Sequence, residues 1–204
     1  MRLFVAVRPP EPAIEELDAF LSVRREAAAP RGTSRSAWRW TPPEAWHVTL
    51  AFCEHAPERA YDELVERLGR AASRRTPFET AIVGGGAFPN VGRARVLWAG
   101  LSLDEASREE LGRLATGARA AAVKSGIAVD GTRFRAHVTL ARLGQPQELS
   151  NWVRLLDAYR GPAFAVDRLE LVESHLGEGP RGRPRYEVLD EFPLGRAAGQ
   201  PATP

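Results

Sequence analysis

The chain is poor in cysteine, lysine and net charge, and each shortage closes off a class of function. Cys53 is the only cysteine among 204 residues, so no internal disulfide can form and four-cysteine zinc sites are excluded. Lys124 is the only lysine among 28 lysines and arginines. The basic chemistry is therefore almost wholly guanidinium, whose planar paired donors suit phosphate better than a point charge does. A formal net charge of +2 argues against a protein that coats long nucleic acid, because that affinity comes from neutralising many phosphates at once. A short RNA end remains a suitable ligand. No apolar run is long either: Met1-Arg2-Leu3-Phe4-Val5-Ala6-Val7 gives way to Arg8 and Pro9, too soon for a membrane span or a signal h-region. These features lead us to expect a cytoplasmic monomer without membrane association.

What is present is enough apolar material for a substantial core, at 44% hydrophobic against 26% charged residues, so most of the chain should be folded. The opening residues read as a buried strand. Ile14, Leu17, Phe20 and Leu21 recur at helical spacing, and so do Tyr61, Leu64, Val65 and Leu68 within a helix expected over 58–72. The stretch 24–36, rich in Arg, Ala, Ser, Gly and Pro, reads as a basic loop. Strands are expected over 47–52, 78–83, 95–101, 134–141, 166–174 and 185–189, with helices over 104–124 and 148–159. The run Gly84-Gly85-Gly86 reads as part of a turn between strands. It is no phosphate loop, since no Gly-Lys-Ser/Thr follows and the segment leads to a strand. Residues 195–204 read as a disordered tail. The element order repeats a similar unit twice, which points to a duplicated α+β fold.

One pentapeptide occurs twice: His47-Val48-Thr49-Leu50-Ala51 and, 90 residues later, His137-Val138-Thr139-Leu140-Ala141. In a strand, the His and Thr of each copy share one face and the Val and Leu the other. Two such strands side by side present two imidazoles and two hydroxyls to one cleft. That set suits displacement at phosphorus, where attacking water and leaving oxygen lie on opposite sides and each needs its own proton-transfer group. Histidine titrates near neutrality, so one copy can be neutral and the other protonated. The threonine hydroxyls can donate to the non-bridging oxygens. A lone strand histidine is ordinarily structural, but a repeated polar pair beside a repeated apolar pair is hard to explain by packing alone.

At these residues the sequence resembles the two-histidine phosphoesterase superfamily, and within it the bacterial and archaeal RNA 2′,3′-cyclic phosphodiesterases, also described as 2′-5′ RNA ligases. The likeness extends over the lead-in Trp40-Thr41-Pro42-Pro43-Glu44-Ala45-Trp46, over Gly86-Ala87-Phe88-Pro89-Asn90 and Arg95-Val96-Leu97-Trp98-Ala99-Gly100, and on to Glu191-Phe192-Pro193-Leu194. It implies one bilobal domain over 1–194, with two antiparallel sheets lining a central cleft and helices outside. It also implies hydrolysis of a 2′,3′-cyclic phosphate on RNA ends or nucleotides to a 2′-phosphate, without metal or other cofactor. By this resemblance His47 is the general acid toward the leaving 3′ oxygen and His137 the general base toward water. Thr49 and Thr139 hold the phosphate and Arg142 adds positive charge. Two departures stand out: Ala136 where the family often has proline, and Cys53-Glu54-His55 after the first motif.

Other readings compete. His47, Cys53 and His55 could in principle ligate zinc, though their spacing matches no familiar pattern. Trp46, Phe52, Phe88 and Phe134 could stack on a base, and Phe134 is taken as a substrate-binding residue. His175 reads as surface or cleft edge. The same chemistry could serve ADP-ribose 1″,2″-cyclic phosphate or a cyclic nucleotide. A non-catalytic module holding RNA ends is the alternative of another class, but binding alone needs no paired acid and base.

Overall fold

The computed structural model describes residues 1–27, 38–131 and 133–195; most of the expected basic loop and all but the first residue of the expected tail lie outside the described residues. Along the chain come β1 (Leu3–Val7), α1 (Glu11–Ala27), β2 (Trp38–Trp40), β3 (Val48–Cys53), α2 (Tyr61–Ala72), β4 (Phe78–Phe88) and β5 (Ala94–Leu101). They are followed by α3 (Glu105–Lys124), β6 (Val138–Gln147), α4 (Ser150–Asp157), β7 (Arg160–Val166), β8 (Arg168–His175) and β9 (Arg185–Pro193). No described helix is long and apolar enough to cross a membrane.

The strands run in the order β7-β4-β5-β6-β3-β1-β8-β9, with β2 beside β6, and every ladder is antiparallel. At the centre, β3 and β6 touch through the single pair Val48↔Val138. The main path of the sheet is therefore two four-stranded halves, β3-β1-β8-β9 and β6-β5-β4-β7, hinged where the two copies of the pentapeptide meet. Helices α2 and α3 pack on each other, with α2 also against β9 and α3 against β3 and β4. Helix α1 lies against β7, and α4 against β4 and β5. Asp104 caps α3, its carboxylate accepting from Ser107 N–H at 2.7 Å.

The structure redraws several expected elements. Helix α1 continues through Arg24 and Arg25, whose charges favour a helix C-terminus. The glycine run belongs to β4, and the turn comes later, at Val91–Arg93, where the Asn90 side chain accepts from Arg93 N–H. Glycine is required there by crowding: a Cβ on Gly86 would lie 2.3 Å from the Trp98 ring, and one on Gly85 2.5 Å from Leu156. The strand expected over 166–174 is two strands parted at Asp167. Apolar periodicity misses β7 because it is an edge strand containing Gly161 and Pro162. Phe134 precedes β6 and is not in it.

Candidate active site

Val48, Leu50, Val138 and Leu140 are at most 2% exposed. Alternation then directs His47, Thr49, His137 and Thr139 to the other face. In the register of Val48↔Val138, His47 stands opposite Thr139 and His137 opposite Thr49. The two imidazoles are thus diagonal neighbours, a relation that spans about 7–8 Å.

Arg142 reaches this face by a device that strict alternation would not reveal. In the β1–β3 ladder Ala6 pairs with Thr49 and Val5 with Ala51, so Leu50 is passed over. In the β5–β6 ladder Trp98 pairs with Thr139 and Leu97 with Ala141, so Leu140 is passed over at the same point of the motif. An extra residue of this kind shifts the alternation by one. Ala51 and Ala141 are accordingly buried beside Leu50 and Leu140, while Phe52 and Arg142 turn to the cleft.

Each histidine is oriented in the same way. His47 Nδ1 lies 2.7 Å from the Ala45 carbonyl and His137 Nδ1 2.6 Å from the Arg135 carbonyl. A carbonyl can only accept, so Nδ1 carries a proton in both rings, and in the neutral ring Nε2 keeps the free lone pair. Each ring also has an aromatic support. Phe4 stacks on His47 at 4.6 Å between centroids, with Tyr186 edge-on, and His137 sits edge-on to Phe88 at 4.9 Å and to Trp98 at 6.1 Å.

Burial dominates the titration of both rings. It pushes His47 down to about 4, partly opposed by the Ala45 hydrogen bond and reinforced by the charges of Arg8, His137 and Arg142. His137 is also lowered, by burial first and then by Arg142 and Arg135, against the Arg135 carbonyl. Desolvation disfavours the imidazolium, so in the free protein both rings are neutral at pH 7. His137 falls within the range of His47's charge, and Arg142 acts on both.

His47, Thr49, Thr139 and Arg142 line one cleft of about 390 Å³, together with Arg2 and Tyr186. His137 lines a second cavity, of about 480 Å³, with Phe88, Trp98 and Phe134. Of the residues expected at the site, four therefore share the first cleft, while His137 and Phe134 belong to the second. The first can hold an anion between two arginines and two hydroxyls, and the second offers aromatic walls.

Residues 7–98 and 101–181 match the LigT like Phosphoesterase family. The chain belongs to that family. It is 33% identical over 201 residues to an RNA 2′,3′-cyclic phosphodiesterase of Thermus thermophilus, covering 95% of this chain and 90% of that protein. An Archaeoglobus fulgidus protein of the same name is 33% identical over 193 residues, 94% of this chain and 99% of its own. Among solved structures, TT0787 of Thermus thermophilus superposes with a TM-score of 0.70 at 31% identity, covering 97% of this chain and all of that one. E. coli LigT complexed with 3′-AMP gives 0.71 at 25% identity, covering 96% and 98%.

In this LigT-like phosphoesterase the zinc alternative has no geometric support. Cys53 is buried on the core face, where burial raises its thiol to about 11, and His55 is exposed. No group of three or more potential ligands capable of holding a metal occurs among the described residues. Trp46 is a core anchor whose indole N–H donates to the Thr41 carbonyl at 3.1 Å. Sequence reasoning missed Arg2, Phe4, Tyr186 and Trp98. Arg2 and Phe4 sit two apart in a strand read as wholly buried, a spacing that places both on one face. Arg2 lies 4.9 Å over the Phe52 ring, and its Nε is buried without a hydrogen-bond partner among the described residues.

Proposed function

We propose that this LigT-like phosphoesterase hydrolyses 2′,3′-cyclic phosphates on RNA ends to 2′-phosphates by acid–base catalysis between His47 and His137, with no metal taking part. One observation carries the reading: two matched motifs meet at Val48↔Val138, each imidazole has its Nδ1 tied to a backbone carbonyl, and His47 lines a cleft furnished with two threonines and two arginines while His137 lines a second cavity.

The cyclic phosphate brings one negative charge to the cleft that Arg142 and Arg2 line. Thr49 and Thr139 donate to its non-bridging oxygens. His137 Nε2 takes a proton from water as the water oxygen bonds to phosphorus. His47 Nε2 gives a proton to the 3′ oxygen as the P–O3′ bond breaks. The 2′ oxygen keeps the phosphate. The cycle leaves His47 neutral and His137 protonated, and exchange with solvent restores the start.

Turnover of an RNA ending in a 2′,3′-cyclic phosphate, in excess chelator and with the product's phosphate located by phosphorus NMR, is the direct test. We expect full activity and a 2′-phosphate. His47→Ala and His137→Ala should each lower kcat by about 10²–10⁴ with unchanged circular dichroism. A substrate with sulfur in place of the bridging 3′ oxygen leaves without needing a proton, so it should rescue His47→Ala and not His137→Ala. Full activity of either variant on the oxygen substrate would overturn the mechanism, and the opposite rescue pattern would exchange the two roles.

A further inference from the structure

We propose that the RNA strand behind the cyclic phosphate is held on a track leading from the cavity of Phe88, Trp98 and Phe134, across α3, into the groove between α2 and α3. The enzyme would then take oligonucleotide ends in preference to cyclic mononucleotides. The proposal rests on the functional reading above and extends it to the length of the substrate.

Three features place the track. The first is the cavity beside His137, lined by Phe88, Trp98 and Phe134. Aromatic walls suit an unpaired base. The second is continuity. Gly112 lines this cavity and also a groove of about 950 Å³ between α2 and α3. A Cβ at Gly112 would meet nothing within 4 Å, so there is open space over α3 at that position.

The third feature is which cations are already occupied. Arg67, Arg70 and Arg113 are paired with Glu63, Glu66 and Glu109 one helical turn away. Arg74 and Lys124, both exposed and lining the groove, have no carboxylate partner among the described residues, and neither have Arg133 and Arg135 at the mouth of the aromatic cavity. Arg135 instead lies 5.0 Å over the Phe88 ring. Unpaired cations thus stand at both ends of the path. Along α3, Arg108 and Lys124 stand 16 positions apart, about 24 Å at 1.5 Å per residue, enough for several nucleotides. Aromatic platforms joined by uncompensated cations are the usual means of holding a single strand without reading its sequence.

The test compares the wild type with Arg74→Glu/Lys124→Glu, two exposed positions outside the catalytic cleft. Substrates are a nucleoside 2′,3′-cyclic phosphate and an eight-nucleotide RNA with the same terminus, and binding of the fluorescently labelled 2′-phosphate product RNA is followed by anisotropy. We expect the wild type to show at least a tenfold lower KM for the RNA, and the variant to lose that advantage while turning over the mononucleotide unchanged. For the product RNA, the slope of log Kd against log salt should shrink by about 0.7 for each lost phosphate contact. Equal KM for both substrates in the wild type, or an unchanged RNA KM and salt slope in the variant, would overturn the track. Turnover of neither substrate by the wild type would instead refute the functional reading. In that case anisotropy alone decides the track: loss of binding in the variant supports it, and unchanged binding overturns it.

Discussion

The proposed roles demand that substrate put a proton on His47 while His137 stays neutral. In the free protein His47 is pushed down to about 4, so as it stands it holds no proton to give at neutrality. A phosphate monoanion in the cleft of His47, Thr49, Thr139 and Arg142 changes this. At about 5 Å and an effective dielectric constant of about 20, it stabilises the imidazolium by about 3 kcal/mol, or about two and a half pKa units. His47 would then titrate near 6.5. His137 lines the second cavity; if it stands about 8 Å from the same charge, it is lifted by only about 1.5 units. Substrate therefore raises His47 more than His137, in the direction that the acid role of His47 requires. The measurement is the nitrogen chemical shifts of the histidine rings in 15N-labelled protein across pH 4 to 8, with and without 2′-AMP. Free His47 should remain neutral down to about pH 5 and become protonated near pH 6.5 in the complex. A free His47 titrating at its ordinary value would refute the burial argument. A bound state in which His137 rises while His47 stays low would assign the acid to His137.

Two further variants probe the framework. Gly86→Ala places a Cβ 2.3 Å from the Trp98 ring and should cost about 1–3 kcal/mol by overpacking; the urea midpoint reads this, and an unchanged midpoint would mean that the indole has room to move. Arg142→Gln removes a positive charge that lowers both histidines, so both should titrate higher. The loss of a charge-assisted contact of about 1.5–3 kcal/mol should reduce kcat/KM by about ten- to a hundredfold.

The duplicated frame was legible because repetition is visible without any knowledge of contacts. His47 with Thr49 and His137 with Thr139 could be placed on one face by alternation alone. The long amphipathic helices could be read as well, since burial of Leu64 and Leu68, or of Leu111 and Leu114, follows the 3.6-residue period. The rest depended on non-local facts. The glycine run signals a turn until one knows that the Trp98 ring needs its surface. Arg142 belongs on the core face until the register with Leu97 and Trp98 exposes the bulge. Arg24 and Arg25 read as loop because charge patterning alone does not mark where α1 ends.

Identical motifs cannot by themselves divide an acid from a base, so the asymmetry must come from their neighbours. The two ladders can be superimposed pair by pair: Ala6 beside Thr49 corresponds to Trp98 beside Thr139, and Phe4 opposite Phe52 corresponds to Val96 opposite Arg142. On the His47 side a small Ala6 leaves room while Phe4 stacks flat on the ring. On the His137 side the bulk is reversed, and Trp98 and Phe88 meet the ring at its edge. The bulge likewise delivers Phe52 in one copy and the cation Arg142 in the other. Different environments around two like groups are what separate their titrations. Here the environments differ through residues that alternation places on one face of β1 and β5, outside the motifs themselves. Exchanging the residues at positions 6 and 98 should therefore bring the two histidines closer in pKa, as read by the same ring nitrogen shifts, even with both pentapeptides intact.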